Sequence, residues 1–139
     1  MINRPPVINS KGRIHYKSFI GSDDEFYYLA LVDPAKPKTG TNDITACLYK
    51  KIDRYTFIPV ANYLIDIDPR MPEMDNHTSP DNVNLNYDAS TGLYKGKLNL
   101  TTGYWKVNMI IRDADNTILK GESITGTTTA CSIYFGLEF

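Results

Sequence analysis

Residues 104–112 read YWKVNMIIR, and this stretch decides the fold class. Trp105 and Val107 fall on one side of an extended chain, while Lys106 and Asn108 fall on the other. Successive side chains of a β-strand point to opposite faces of its sheet, so this alternation is typical of a strand with one buried face. The only tryptophan of the chain is therefore predicted to lie at the centre of the core.

The same alternation recurs on both sides of this stretch in short segments separated by turn residues, and helical spacing is almost absent. The predicted strands are 26–32, 44–51, 55–60, 63–68, 83–87, 93–100, 104–112, 117–124 and 129–139. Seven to nine short strands around a lone tryptophan predict an all-β fold, an immunoglobulin-like antiparallel β-sandwich. The pattern leaves strand order open, and a closed barrel is the alternative.

The chain length bounds the domain organisation. A chain of 139 residues is long enough for one domain with a sizeable core. Residues 1–20 contain Pro5 and Pro6, few apolar side chains and no period, which predicts an N-terminal tail or linker with a short first strand at 14–20. Residues 21–139 are predicted to form a single β-sandwich domain.

Charge and hydropathy exclude two classes of partner. Fifteen Lys and Arg against sixteen Asp and Glu give a net charge of −1, so the basic surface expected of a nucleic-acid-binding protein is missing. No apolar run approaches the roughly 20 residues that span a bilayer, and no signal peptide follows Met1. The chain is therefore expected to be either cytosolic or a mature segment whose targeting sequence has been removed.

Histidines are too few to favour catalysis. A nucleophile with a general base requires a histidine or a paired carboxylate in a pocket, and the chain has only His15, in the predicted tail, and His77, in a loop. Ser79 follows His77 closely, but closeness in sequence is not the geometry of a catalytic pair. The sequence predicts that the protein is not an enzyme.

The two cysteines allow at most one disulfide. Cys131 shares a strand face with Ile133 and Phe135, which predicts burial in the core, whereas Cys47 lies on the side of Tyr49. If that second face points outward, the two sulfur atoms do not meet. A disulfide and two separate thiols both stay open on the sequence.

The candidate site is the loop 68–82, DPRMPEMDNHTSPDN, which is polar and broken by proline yet carries Met71, Met74 and His77 at equal spacing. Thioether sulfur selects copper(I) among biological metals, and imidazole also suits copper, so the three side chains are a plausible ligand set. The alternative is that the methionines are flexible apolar side chains that fill the end of the core.

The second half of the chain resembles the YtkA-like or FixH-like family of extracytoplasmic immunoglobulin-like domains. The resemblance covers about 65–113 and depends on the order of several short elements. These are Met71-Pro72-x-Met74 with a histidine just after it, Ser79-Pro80, Gly92-x-Tyr94-x-Gly96, Gly103-x-Trp105-x-Val107 and a strand that ends in Arg112-Asp113. In this chain the histidine follows Asp75 and Asn76.

The resemblance implies a non-catalytic module of the cell envelope, in the periplasm or at the cell surface, with a protein partner there. It also implies copper(I) binding or delivery, with Met71, Met74 and His77 as the matching positions. A lipoprotein tether would then occupy the tail, and the targeting segment would be absent from this chain.

The alternative function is a structural or adhesive immunoglobulin-like module that binds a protein or a glycan. Ten tyrosines are consistent with it, because tyrosine supplies a large contact area with a polar hydroxyl group. Tyrosine is also simply a common strand residue. The partner and the oligomeric state stay open on the sequence.

Overall fold

The computed structural model describes residues 15–139. They form eleven β-strands and one 3₁₀ turn, Pro72–Met74, which lies between β5 and β6. The strands are β1 His15–Ile20, β2 Phe26–Asp33, β3 Gly40–Asp53, β4 Thr56–Pro59, β5 Leu64–Met71, β6 His77–Thr78, β7 Val83–Asp88, β8 Leu93–Leu100, β9 Tyr104–Arg112, β10 Ile118–Lys120 and β11 Tyr134–Glu138.

All strand pairs are antiparallel, and the main path of the sheet runs β1-β2-β3-β8-β7-β5-β9-β10. Three short strands lie off this path: β4 pairs with β3, β6 with β5, and β11 with β9. The two edges of the sheet nearly meet, because Ser22, just after β1, donates its backbone N–H to the carbonyl oxygen of Leu119 in β10 at 3.0 Å. The sheet therefore almost closes into a barrel.

Strand β7, which lies between β8 and β5 in the sheet, contains a bulge. Val83 pairs with Lys97 and Asn86 with Lys95, so two residues of β7 lie opposite Gly96 alone. A Cβ atom at Gly96 would lie 2.3 Å from the carbonyl oxygen of Val83, which only glycine avoids. The bend lets Leu85 pair with Ile65 of β5, the single residue pair between these two strands.

The core fills the interior of the near-barrel, and Trp105 is fully buried within it. Alternate residues of each strand supply its side chains, as the period of two predicts. The fully buried members of largest volume are Trp105, Tyr27, Tyr94, Phe135, Leu29, Leu31, Ile44, Ile65, Leu85, Leu98, Leu100 and Met109.

The all-β antiparallel class predicted from the sequence is confirmed, and its immunoglobulin-like form stays a prediction. Residues 15–139 contain eleven strands instead of seven to nine, because β1 and the two-residue β6 add to the nine predicted segments. The predicted strand 117–124 ends early, since Gly121 adopts a positive φ of 107°. The predicted strand 129–139 begins only at Tyr134.

The structure describes the predicted first strand but not most of the predicted tail that precedes it. Residues 1–14, most of the predicted tail, lie outside the described residues. Residues 15–20 form β1, which pairs with β2 along its whole length, from His15 opposite Leu31 to Ile20 opposite Phe26. Within the described part of the chain, no helix is long and apolar enough to cross a bilayer.

Candidate functional site

The loop that carries the three candidate ligands is a tight β-hairpin across one end of the near-barrel. Strand β5 runs directly into it and ends at Met71, and β6 begins at His77, so these two residues lie opposite each other. Asp75 and Asn76, both with φ of 57°, reverse the chain after the 3₁₀ turn. Aspartate and asparagine tolerate this left-handed conformation better than most residues, which explains their place here.

Two hydrogen bonds fix the hairpin to its strand. The Thr78 hydroxyl donates to the carbonyl oxygen of Pro69 at 3.0 Å, and the Arg70 guanidinium donates to the carbonyl oxygen of Asn76 at 3.2 Å. Asp68 accepts a second bond from the same guanidinium at 2.8 Å. The hairpin is therefore held at a defined position over the end of the barrel, called the hairpin end below.

Met71 is part of the core. Its side chain is only 8% exposed, and its sulfur accepts a hydrogen bond from the Thr101 hydroxyl at 3.7 Å. Gly103 makes room for it, because a Cβ atom there would lie 2.6 Å from Met71 Cε and the φ of Gly103 is 136°. Of the three candidate ligand residues, Met71 is thus the one whose side chain fills the core of the near-barrel.

His77 is exposed and lies against the one tryptophan. The centroids of the His77 and Trp105 rings are 6.4 Å apart, with 52° between the ring planes. Trp105 is fixed in turn by its indole N–H, which donates to the carbonyl oxygen of Thr101 at 2.8 Å. Within residues 15–139 the imidazole of His77 makes no hydrogen bond, so both ring nitrogens are open to a ligand.

Met74 is 61% exposed, on a 3₁₀ turn that contains no buried residue. The structure therefore brings Met71 and His77 together as directly opposed residues and leaves Met74 outside the core, between them in the chain. Directly opposed side chains in an antiparallel pair have Cβ atoms about 5 Å apart and lie on the same face. Two of the three predicted residues share a location, and the third can reach it only by movement of its flexible side chain.

Negative charge lies near the hairpin end. Burial raises the pKa of Tyr104, the first residue of β9, and the nearby groups of Tyr134, Glu138 and Glu73 raise it further. Glu73 belongs to the hairpin itself. Arg70 and Lys106 lie opposite each other at the same end, so charges of both signs surround it.

The candidate ligands at this site are thioether and imidazole groups. In the described part of the chain, no group of three or more His, Cys, Asp and Glu side chains is placed to hold a metal ion. A groove of about 660 Å³ runs beside the hairpin end, between Pro34–Pro37 and strand β11, but none of the three candidate residues lines it. A metal here would be held at the surface by thioether and imidazole groups.

The cysteines lie on opposite faces of the sheet and are both free. Cys131 is in the core, where its thiol donates to the carbonyl oxygens of Met109 and Ile133 at 3.3 and 3.2 Å. Cys47 is on the outside, where burial raises the pKa of its thiol. Of the two alternatives that the sequence left open, the structure has two separate thiols.

An apolar layer on the outside of β1 to β4 was not predicted as a surface of its own. We call it the outer aromatic face and define it by Tyr16, Tyr28, Tyr49 and Phe57. The Tyr28 ring meets those of Tyr16 and Phe57 edge to face, each at 5.6 Å. The signal in the sequence was that β2 and β3 are apolar on both faces, which in a half-buried strand is unexpected.

The contact of His77 with Trp105 and the hydrogen bond of Thr101 to Met71 were also missed by sequence reasoning, since they join segments about thirty residues apart. Comparison of the chain with protein-family models, with curated proteins and with solved structures finds no match.

Proposed function

We propose that the protein is a non-catalytic binding module of the cell envelope that holds copper(I) reversibly at the hairpin end. The observation that carries the proposal is the direct opposition of Met71 and His77 beside Trp105. Thioether and imidazole groups suit copper(I), and an indole ring attracts a nearby monovalent cation. Met74 is the third ligand, supplied by its exposed side chain.

The cell-envelope location and the family are part of the same proposal, supported by the resemblance of 65–113 to YtkA-like or FixH-like domains. The immunoglobulin-like form belongs to it as well. It is supported by the single residue pair between β5 and β7, across which the near-barrel separates into two sheets with a shared core. The protein partner would receive or supply the metal.

Non-catalytic binding is supported by the surroundings of the one described histidine side chain. The Ser79 hydroxyl contacts the Asn82 side-chain amide, which donates to it at 3.1 Å, and within residues 15–139 Ser79 is not hydrogen-bonded to His77. The exposed imidazole has no carboxylate to orient it within residues 15–139. A general base in a hydrolytic pair requires such an orienting group.

The test is a titration of the reduced protein with copper(I) against a competing chelator. Free thiols also bind copper(I), so the titration uses a Cys47→Ala/Cys131→Ser background, in which the serine hydroxyl replaces the thiol donor of the core. We expect one equivalent to bind and to quench the fluorescence of Trp105, the only tryptophan.

The variants His77→Ala, Met74→Leu and Met71→Leu are expected to lose binding while keeping the circular dichroism of the folded protein. Met109→Leu is the matched control, because this methionine is fully buried in the core far along β9 from the hairpin. Binding that survives the triple variant, or no binding above the chelator, would contradict the metal proposal.

A second candidate function is favoured by the outer aromatic face, through which the module would bind a protein. Tyrosine and phenylalanine are enriched at such interfaces, and Tyr16, at 37% exposed, is the most accessible ring of this face, whereas Tyr49 and Phe57 are each 8% exposed. The rings pack edge to face, so the face offers ring edges and aliphatic neighbours instead of one flat ring for a sugar. Loss of capture by Tyr28→Ser from an envelope extract, with copper binding unchanged, would support it, and a hit on a glycan array would replace the protein by a glycan.

A further inference from the structure

Most of the exposed large apolar side chains lie at the end of the near-barrel opposite the hairpin. We call this region the turn end and define it by Ile20, Ile52, Tyr55, Leu64 and Ile118, which are exposed by 41–68%. These five are a majority of the eight exposed large apolar residues in the described chain. The other three, Tyr16, Met74 and Val83, lie elsewhere.

Strand register shows that these residues share one end. Ile20 lies opposite Phe26, which lies opposite Lys51, the residue before Ile52. On the other half of the sheet, Leu64 lies opposite Arg112, which lies opposite Ile118.

A hydrogen bond between the two edges of the sheet joins these two rows of residues. The Ser22 hydroxyl, two residues after Ile20, donates to the carbonyl oxygen of Ile118 at 2.7 Å. The five side chains therefore form an arc around one end of the molecule. An exposed apolar arc of this kind indicates contact with another surface.

Opposite charges lie side by side at the same end. The β3–β4 hairpin carries three basic residues and Asp53, and the neighbouring β1–β2 turn carries three acidic residues, since Phe26 lies opposite Lys51. The basic residues are Lys50, Lys51 and Arg54, and the acidic ones are Asp23, Asp24 and Glu25. In residues 15–139 none of these six side chains is in a salt bridge. Asp23 accepts hydrogen bonds from the Tyr27 hydroxyl and the Glu25 backbone N–H, and the other five keep charges that a partner can pair with.

We propose that the turn end is the interface of a homodimer, in which the basic hairpin of each copy meets the acidic turn of the other. An interface with twofold symmetry must be self-complementary, and a surface with neighbouring basic and acidic groups beside exposed apolar side chains meets this requirement. An anionic membrane is a poorer partner, because the acidic turn would lie against it and be repelled. The second copy satisfies both charge groups and covers the apolar arc.

The interface also leaves the copper(I) site free. The turn end and the hairpin end are opposite ends of the strands, since β5 begins at Leu64 and ends at Met71. A dimer through the turn end would present two hairpins facing away from each other. The dimer therefore does not depend on metal binding, and failure of one proposal does not entail failure of the other.

The first test is sedimentation velocity of the metal-free protein over a concentration series, at low and high salt. We expect a shift from the mass of one copy to that of two as concentration rises, with weaker association at high salt because the interface charges are screened. An Ile52→Ser/Tyr55→Ser variant is expected to stay at the mass of one copy. Val83→Ser, which removes an exposed apolar side chain outside the turn end, is the matched control and is expected to dimerise.

The second test is a charge exchange. Lys51→Glu/Arg54→Glu and Asp24→Lys/Glu25→Lys should each fail to dimerise alone, and an equimolar mixture should form a heterodimer. A wild-type protein that keeps the mass of one copy throughout overturns the proposal. So does a dimer that survives the Ile52/Tyr55 variant, a mixture that does not pair, or binding of the monomer to anionic vesicles in place of dimerisation.

Discussion

The two ends of the near-barrel are built differently, although the same alternating strands lead to both. At the hairpin end, the β5–β6 hairpin crosses the opening and buries Met71 beside Trp105. At the turn end, the β1–β2 and β3–β4 turns do not fold over the opening, and aliphatic side chains such as Ile52 stay exposed. The alternating strands therefore define the sides of the near-barrel, and the loops that connect them decide which end is covered.

Tyrosine hydroxyl groups form hydrogen bonds in the interior next to the turn end. Tyr27 donates to Asp23 at 2.6 Å and lies 3.4 Å from the hydroxyl of Tyr63. Tyr94 donates to the carbonyl oxygen of Val60 at 2.7 Å and accepts from the backbone N–H of Tyr63 at 3.2 Å. One end is therefore stabilised mainly by apolar packing, and the other by buried hydrogen bonds.

The largest expected effect concerns the centre of the hairpin end. Trp105→Ala should lower the free energy of unfolding by about 3–5 kcal/mol, because it leaves a large cavity in a fully buried site. Chemical denaturation followed by far-ultraviolet circular dichroism measures it. At the turn end, Tyr55→Ala should change stability by less than about 0.5 kcal/mol, and equal losses at the two positions would contradict the contrast between the ends.

The next effect separates the two loop methionines. Met71→Ala should cost about 2 kcal/mol, since its side chain is buried at the edge of the core. Met71→Leu preserves the volume and should cost less than about 1.5 kcal/mol. Met74→Ala is the matched control and should be neutral by the same denaturation assay. A neutral Met71→Ala would show that the hairpin does not close the core.

Tyr94→Phe should lower stability by about 1–2 kcal/mol at neutral pH, because it leaves the buried carbonyl oxygen of Val60 without its donor. Burial raises the pKa of Tyr94 to about 12, whereas an exposed tyrosine ionises near 10. Its contribution is therefore complete below pH 10 and is lost as the pH rises towards 12.

The measurement is the unfolding midpoint between pH 8 and about 12 for the wild type and Tyr94→Phe. The wild type should lose stability over the alkaline range, and the gap to Tyr94→Phe should narrow there. Burial also raises the pKa of Tyr27 and Tyr49, so part of the loss persists in the variant. A constant gap would mean that folding does not raise the pKa of Tyr94.

The smallest expected effect on stability concerns Asp88, in the surface turn between β7 and β8. It serves as a reference for the larger changes at the two ends. Hydrogen bonds from the Ser90 hydroxyl and Lys95 lower the pKa of Asp88 to about 2. The stabilisation is present above pH 4, the ordinary range of an aspartate, and is lost as the pH falls towards 2. Asp88→Asn should therefore be slightly less stable than the wild type at neutral pH and equal to it near pH 2, as thermal unfolding would show.

Much of the sheet was predictable, because alternation is a local property. Strands β8 and β9 have the predicted bounds, and the hairpin of β3 and β4 lies where its turn predicted it. The strand predicted over 117–124 was too long, since the conformation of Gly121 depends on its close approach to the backbone of Met109. The near-closure of the barrel was not predictable, because strand order is a property of the whole chain.

The candidate site was predicted in part. The spacing of Met71, Met74 and His77 marked the loop on which the proposal rests, but it could not show that β5 extends to Met71 and places it opposite His77. Trp105 and Thr101 entered the site only through tertiary contact. Burial separated the roles of the two methionines, and burial depends on which segments cover a loop.

By itself, the sequence determined the all-β class, the buried face of most strands and the loop in which sulfur and imidazole groups occur. Each of these is set by neighbours a few residues apart, so a local pattern is enough to specify it. The tertiary structure alone decided that the sheet curls until its edges nearly meet, that one end is closed and the other exposed, and that Cys47 and Cys131 stay apart. These features arise from pairing and packing between distant segments, whose outcome depends on the free energy of the whole fold.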